Sequence, residues 1–315
     1  MTSVLVYGAY GHTGRFVVAE LRERGFTPIL SGRDAAKLPG GRPASVDDPA
    51  ALDRALDGVA AVINCAGPFA ATALPLAEAA IRAGIPYVDV AAEIEANLDT
   101  LALDAATAVV PAMAFFGGLA DLLATTAMGD WAAADEVHVA YGLSGWHPTP
   151  GTLAAGRVSR DRRGGKRIRY AGGRLEYRDD ALPTLDWTFP EPLGTRPVLG
   201  EFSMADIVTI PSHLKVSDVT SYMTLDAANG LAAAAERDAA ETFVVDVVVR
   251  AGGEERRIVA RGEDIYAVSA PLAVEAVARL LSGRTKATGV ASAGEMFDAP
   301  DFLRALAPHV TVEFS

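Results

Sequence analysis

The sequence predicts an α/β protein, in which a doubly wound parallel Rossmann sheet carries an inserted α+β domain built on a mixed sheet. The first observation is that apolar strand signals and helix signals alternate through the first third of the chain. The second is that runs rich in Val, Ile, Tyr and Thr replace this alternation between residues 136 and 261, before helical patterns return. We therefore predict a first domain of residues 1–118 and 268–315, with residues 119–267 inserted as a second domain.

The first domain is predicted to contain six strands, and helices of this length between strands imply right-handed crossovers and a parallel sheet. Asp48 and Pro49 are typical of a helix start, and Gly84 is typical of a helix end. The predicted strands cover residues 4–7, a segment ending near 31, and residues 43–46, 60–64, 87–90 and 108–114. The predicted helices cover residues 13–24, 48–58, 72–83 and 94–106, and two later helices, 267–281 and 302–307, are expected to pack back on this domain.

The second domain is predicted to be a sheet that is at least partly antiparallel. Gly172-Gly173 and Gly252-Gly253 separate two pairs of strands and favour hairpins. One alanine-rich helix, 231–240, is too short to cover such a sheet, so the uncovered apolar face is expected to contact the first domain or a second copy. We therefore expect a homodimer. The predicted strands cover residues 136–143, 167–170, 174–178, 216–225, 242–250 and 256–261.

A glycine-punctuated turn follows the first strand. Gly8 stands where the chain leaves the strand, Gly11 where backbone without a Cβ could approach a pyrophosphate, and Gly14 where the helix packs against the strand. The N–H groups at the helix start would then face the phosphates. The spacing departs from G-x-G-x-x-G, so an ordinary glycine-rich turn is the alternative. The candidate dinucleotide contacts in this turn are Gly8, Tyr10, Gly11, His12, Thr13 and Gly14.

The end of the second strand indicates which dinucleotide is bound. Arg33 offers a planar cation suited to the 2′-phosphate of NADP, and Ser31 could add a hydroxyl donor. The alternatives are that Arg33 is solvated and Asp34 only caps the following turn, or that Asp34 binds the ribose of NAD. We expect NADP, with NAD as the alternative.

Two loops at the carboxyl ends of later strands are expected to form the second wall of the cofactor site. Asn64, Ala66 and Gly67 are the candidate contacts in the first loop. Cys65 lacks a neighbouring histidine or lysine that would lower its pKa, so we interpret it as a small apolar filler. In the second loop, the carboxylates at positions 89 and 93 are either helix caps and surface charges or contacts to substrate or cofactor.

These segments resemble the saccharopine dehydrogenase-like oxidoreductases, which include saccharopine reductases and trans-acting enoyl reductases. The resemblance lies in residues 8–15, 31–33, 64–69, 84–89 and 116–123, and it is weak beyond about residue 130. It implies a Rossmann domain that binds NADP or NAD, and a second domain that covers the nicotinamide and makes a dimer contact. It implies no particular substrate. Within the last segment, the candidates are Gly118 for cofactor binding and Asp121 for catalysis.

The loop 143–152 is the most informative part of the second domain. His147 is a candidate proton donor, with a solvated histidine as the alternative, and the helix start near Thr152 could bind an anionic group. Tyr87 is a further catalytic candidate, expected to line a cavity with His147. Arginines crowd residues 157–178, which indicates an anion-recognising lid or a self-association surface, or else a solvated hairpin.

Composition excludes several classes of protein. The 315 residues are 50% hydrophobic without a run long enough to span a membrane, and Met1 precedes a strand, so we expect a cytoplasmic protein. A net charge of −12 argues against a nucleic-acid partner. A single cysteine excludes an internal disulfide and a multi-cysteine metal site, and we predict no metal site. No tyrosine is followed by a lysine four residues later, so short-chain dehydrogenase chemistry is not expected.

Two functions follow from these expectations. The first is an oxidoreductase that moves hydride between NADP(H) and a small-molecule substrate, which could be an imine, an enone or a 2-oxo acid. The alternative is a redox sensor or regulator that binds the dinucleotide without turnover. The second domain, predicted to serve substrate binding and dimerisation, is where the two differ, because an enzyme needs a pocket with a proton donor over the nicotinamide.

Overall fold

A computed structural model describes residues 2–230 and 241–314 of the chain. These residues form a six-stranded sheet and a nine-stranded sheet. The six strands are all parallel, whereas the larger sheet is mixed. The predicted fold class is therefore confirmed. The alanine-rich helix expected at 231–240 lies outside the described residues.

The first sheet has the strand order β3-β2-β1-β4-β5-β6 of a doubly wound fold. Its strands are β1 (Ser3–Tyr7), β2 (Thr27–Gly32), β3 (Arg42–Pro43), β4 (Ala61–Asn64), β5 (Tyr87–Asp89) and β6 (Val109–Val110). The connecting helices are α1 (His12–Glu23), α2 (Pro49–Leu56), α3 (Phe69–Ala83) and α4 (Ile94–Leu101). Because the chain order reverses between β1 and β4, the carboxyl ends of these two strands border a crevice.

Several predicted boundaries in this domain are wrong for local reasons. Helix α3 begins at Phe69, three residues early, because the Glu93 carboxylate accepts from the N–H groups of Phe69 and Ala70. The last strand is shorter than 108–114, since Ala112 has φ +56° and a π turn follows at Phe115–Leu119.

The second sheet has the order β10-β11-β12-β7-β13-β14-β15, with β8 beside β12 and β9 beside β8. Strands β7 and β12 are parallel, and the predicted hairpins β8–β9 and β13–β14 are both present. Its strands are β7 (Ala134–Leu143), β8 (Arg167–Ala171), β9 (Arg174–Arg178), β10 (Thr184–Thr188), β11 (Thr195–Gly200), β12 (Val216–Thr224), β13 (Thr242–Ala251), β14 (Glu254–Glu263) and β15 (Val310–Phe314). The remaining helices are α5 (Ala120–Met128), α6 (Pro150–Arg162), α7 (Asp206–Thr209), α8 (Leu225–Gly230), α9 (Ser269–Ser282), α10 (Ala293–Met296) and α11 (Ala299–Ala305).

The apolar face of the second sheet is covered within the chain. Helix α5 lies against β13 and β14, and the ring of Phe115 packs on Tyr141 and Phe243 with centroid distances of 5.3 and 4.9 Å. One continuous core therefore joins the two sheets. The expectation that a second copy is needed to cover this face is wrong in its premise, because helices elsewhere in the chain supply the cover. The homodimer itself stays a prediction.

The C-terminal tail is shared between the two sheets. Helix α9 packs on α1 beside the first sheet, as expected for residues assigned to the first domain. Strand β15 instead pairs with β14, so residues 310–314 extend the second sheet. The assignment of the whole tail to the first domain is wrong for this strand, and the other domain boundaries stay a prediction.

Candidate active site

A cleft of about 1190 Å³ lies at the carboxyl ends of the first sheet, between that sheet and the second domain. Ordinary small-molecule pockets measure roughly 300–1,000 Å³, so this cleft has room for a dinucleotide and a second molecule. From the first domain, the glycine turn, the end of β2 and the two later loops border it. The opposite wall includes Phe116, Trp146, helix α6, residues 202–204 and the segment that leads into α9.

The glycine turn has the close approaches that a fingerprint needs. Gly8 has φ +82°, and a Cβ there would lie 2.9 Å from the Cβ of Ala66. A Cβ on Gly14 would collide with the carbonyl oxygen of Gly8, so this glycine lets α1 pack against the turn. Gly11 lines the cleft, and α1 begins behind it without a side-chain cap. The start of α1 is therefore open toward a phosphate.

One end of the cleft is cationic. Arg33 is exposed there, and within residues 2–230 and 241–314 no carboxylate pairs with it. Lys37 lies 5.5 Å from the centroid of the Tyr10 ring and 3.4 Å from Asp34. Asp34 itself caps the turn at Ala35–Lys37 by accepting from the N–H of Ala36, as one alternative above held. Arg33 therefore stays available to a ligand.

The side chains of Ser31 and Asn64, predicted to contact the cofactor, do not line the cleft. The Ser31 hydroxyl is fully buried and donates to the carbonyl oxygen of Arg42 at 2.7 Å. The Asn64 amide is also fully buried and donates to Thr72 and Tyr87, while its oxygen accepts from the N–H of Ala66 at 3.0 Å. Both side chains point into the protein, where they shape the loops that end their strands.

The two later loops supply the other predicted contacts. Ala66 and Gly67 line the cleft, as does Cys65. Burial and the nearby Asp89 carboxylate raise the pKa of the Cys65 thiol, which agrees with its interpretation as a filler rather than a nucleophile. Glu93 also borders the cleft but caps α3, and burial raises its pKa.

None of the three predicted catalytic side chains lines the cleft. Tyr87 has no exposed surface and donates to Asp89 at 2.9 Å. Asp121 is equally buried, accepting from the N–H of Gly294 at 2.8 Å and lying 2.7 Å from His213. His147 is bonded to Glu241 outside the cleft. Tertiary packing turns each of these side chains toward another partner, and their catalytic roles stay predictions.

Gly118, predicted to contact the cofactor, does not line the cleft either. It is buried away from the cleft, and a Cβ there would lie 2.7 Å from the carbonyl oxygen of Ala112. Its role is therefore to let the π turn pack tightly against the end of the first sheet.

Sequence reasoning missed a polar cluster on the second-domain wall of the cleft. Tyr266 accepts from the Trp146 indole N–H at 3.2 Å and from the backbone N–H of Thr149 at 3.3 Å. Its ring lies edge-on to the ring of His12 in the glycine turn, with centroids 5.0 Å apart. The 143–152 loop is a candidate from the sequence because of His147. Tyr266 lies more than a hundred residues away, and no sequence motif around it indicates that it joins this loop.

Helix α6 brings part of the arginine-rich segment into the cleft. Arg157 and Arg160 are exposed on the cleft wall, and no carboxylate among the described residues pairs with them. Arg163 also lines the cleft but is 3.1 Å from Glu95. Further arginines of the segment pair with carboxylates on the β8–β9 hairpin and nearby, at 2.5–3.2 Å. The hairpin is thus self-neutralised, and α6 is cationic.

Comparison with known proteins defines the class that this fold and site represent. Residues 4–114 match the family described as the saccharopine dehydrogenase NADP binding domain. The predicted resemblance and the predicted cofactor, NADP, are therefore both confirmed. The matched region ends before the second domain begins.

The whole chain is similar in fold to saccharopine dehydrogenase (L-Glu forming) from Saccharomyces cerevisiae. The comparison covers 100% of both chains with a TM-score of 0.67, at 11% sequence identity. The shared fold thus includes the second domain, and at this identity it is the fold alone that is shared.

Shorter matches cover a small part of the chain. A putative exported protein from Burkholderia pseudomallei is 28% identical over 30% of this chain and 49% of its own, with a TM-score of 0.27. A short-chain dehydrogenase/reductase superfamily protein from Agrobacterium tumefaciens, solved with bound NAD, is 30% identical over 30% of this chain and 34% of its own, with a TM-score of 0.26. No curated protein matches the sequence. Among the residues that the structure describes, no helix is long and apolar enough to cross a membrane.

Proposed function

We propose that the protein is an NADP-dependent oxidoreductase that moves hydride between NADP(H) and a small-molecule substrate. One observation carries the proposal: a single cleft combines the glycine turn and the unpaired Arg33 of the first domain with an aromatic and cationic wall from the second. A protein that only bound the dinucleotide would not need this second wall. When bound, NADPH supplies hydride to an electron-poor carbon, and the substrate heteroatom takes up a proton.

The second domain supplies an apolar wall suited to hydride transfer. Phe116 and Trp146 are 7% and 4% exposed, and their ring centroids are 5.5 Å apart. Phe202 and Met204 extend this surface along the cleft. Such a wall excludes water from the reacting carbon, which protects a hydride donor from side reactions.

The unpaired arginines indicate an anionic substrate. Arg157 and Arg160 stand one turn apart on α6, so both guanidinium groups can face one carboxylate or phosphate in the cleft. Arg33 has a separate task at the cofactor end. We therefore infer a substrate with an imine, an enone or a 2-oxo acid as its reducible group and a negative charge nearby.

The experiment is a screen of NADPH oxidation with imines, enones and 2-oxo acids, each offered as the free acid and as its neutral ester. We expect turnover of a free acid and not of its ester. The double substitution Arg157→Gln, Arg160→Gln should raise KM. The control Arg162→Gln, on the same helix α6, should not, because Arg162 pairs with Asp99 of α4 at 2.8 Å. Equal turnover of acid and ester would contradict the anionic substrate.

A redox sensor is the second candidate, and it is favoured by the finding that Tyr87, Asp121 and His147 all lie outside the cleft. A sensor would bind NADPH tightly and oxidise it with no compound of the screen. It would also change its affinity for a protein partner between NADPH and NADP⁺, which an enzyme need not do.

A further inference from the structure

A chain of hydroxyl groups crosses the second-domain wall of the cleft, and the hydrogen bonds at its Tyr266 end have a fixed direction. The phenolic oxygen of Tyr266 accepts from two N–H groups, those of the Trp146 indole and the Thr149 backbone. Both lone pairs of that oxygen are then used, and N–H groups cannot act as acceptors. The Tyr266 proton must therefore be donated to the Thr152 hydroxyl, 3.0 Å away.

The next link is not fixed in the same way, because the Thr152 hydroxyl keeps a second lone pair after accepting from Tyr266. The hydroxyl oxygens of Thr152 and Thr149 are 3.0 Å apart, and either can be the donor. The Thr149 hydroxyl also accepts from the backbone N–H of Thr152 at 3.1 Å, which is the cap of α6. When Thr152 is the donor, both lone pairs of Thr149 are occupied and its own proton has no acceptor among the described residues. Thr149 lines the cleft, so in this arrangement its proton can be donated to a molecule bound there.

We propose that Thr152 donates to Thr149 and that the Thr149 hydroxyl donates a hydrogen bond to an acceptor oxygen of bound NADP(H), with Tyr266, which donates to Thr152, as the positioning residue. The cofactor is favoured over the substrate because the Tyr266 ring packs on His12, within the turn where the phosphates are expected. The second domain would thus hold the cofactor through one hydroxyl. The proposal rests on NADP binding and does not require turnover.

The test measures the dissociation constants of NADPH and NADH by fluorescence titration of the full chain. Thr149→Val should weaken the binding of both cofactors about tenfold, the scale of one hydrogen bond to a charged acceptor. Thr149→Ser, which keeps the hydroxyl, should restore affinity to the wild-type level. Tyr266→Phe should weaken both cofactors severalfold, and Tyr177→Phe, on the exposed strand β9, should change neither.

Two features keep this test decisive. Tyr266→Phe leaves the Thr149 cap of α6 in place, so it should weaken binding even if Thr149→Val destabilises the helix. Loss of both cofactors in parallel also separates this contact from Arg33, which should affect NADPH alone. Wild-type affinity for both cofactors in Thr149→Val and Tyr266→Phe would overturn the proposal, and reduced turnover alone in these variants would assign the acceptor to the substrate instead.

Discussion

Replacing Arg33 with alanine should remove the preference for NADPH over NADH. Arg33 is exposed at the cationic end of the cleft, and within the described residues it forms no ion pair that the substitution would break. The variant should therefore fold like the wild type, and the whole loss should appear in binding. A charge-assisted contact to a 2′-phosphate contributes about 1–3 kcal/mol, which corresponds to about a fivefold to a hundredfold loss of NADPH affinity.

The structure also ranks the neighbouring cation. Lys37 lies 3.4 Å from Asp34, and its side chain is 62% exposed. Its charge is partly neutralised and well solvated, so Lys37→Ala should weaken NADPH binding less than Arg33→Ala does. Since both cations are exposed, the preference for NADPH should shrink as salt is added.

Calorimetric titration with NADPH and NADH measures these effects directly. Arg54→Ala is the matched control, because Arg54 is a solvated arginine of the same domain, 69% exposed and 3.8 Å from Asp48. It should change neither constant. An equal loss of NADPH and NADH affinity in Arg33→Ala would refute the reasoning, since the 2′-phosphate is the only group that distinguishes the two cofactors.

Three further predictions follow from the turn, the buried carboxylates and the assembly. Gly11→Val should abolish dinucleotide binding in calorimetry, because the branched side chain would fill the space through which the phosphates approach. The circular dichroism spectrum should stay unchanged, because a Cβ at Gly11 would lie 3.1 Å from the Gly8 carbonyl oxygen, a contact that the turn can relax. Burial raises the pKa of Asp206 from 3.8 to about 6, so ionisation of this carboxyl should lower the wild-type free energy of unfolding by about 2 kcal/mol between pH 4 and pH 6. Asp206→Asn should lack this decline in urea titrations, and an identical pH dependence would contradict it. Light scattering should return a particle of twice the chain mass if the predicted homodimer forms, and a monomer at micromolar concentration would exclude it.

The first domain could be predicted because its signals are local. The glycine turn, the Asp48 cap and the helix end at Gly84 each lie within a few residues of the element they define. The cleft position of Gly11 and Arg33 follows from the same short-range pattern, since parallel strands present their carboxyl ends at one edge. Strand β15 was missed because its partner β14 is distant in sequence and the tail around it reads as helix.

The catalytic side chains could not be predicted because burial at a strand end depends on packing from distant elements. Asn64 ends β4, where a polar side chain often faces a ligand, yet it bonds at 3.2 Å to Tyr87, the first residue of the neighbouring strand β5, inside the protein. Asp121 is held by the N–H of Gly294 from the far end of the chain. A polar residue in the right loop thus has two outcomes, and only the tertiary partner decides between them.

The tertiary partners of the predicted acids also bear on where the proposed reaction would obtain its proton. Tyr87 and Asp121 are buried and His147 is bonded to Glu241, so none of the three predicted acids lines the cleft. The second domain contributes the hydroxyl of Thr149 and the guanidinium groups of α6 to the cleft wall. Neither is a strong acid, and the apolar wall keeps water from the reacting carbon, so we expect an imine substrate to be bound already protonated at its nitrogen. Turnover of an imine should therefore depend on the substrate's protonation state and not on the titration of a protein carboxylate. A pH profile of kcat that follows the pKa of the imine series, measured across imines of different basicity, would support this, and a profile fixed at one pH for all of them would place a protein acid at the reacting atoms.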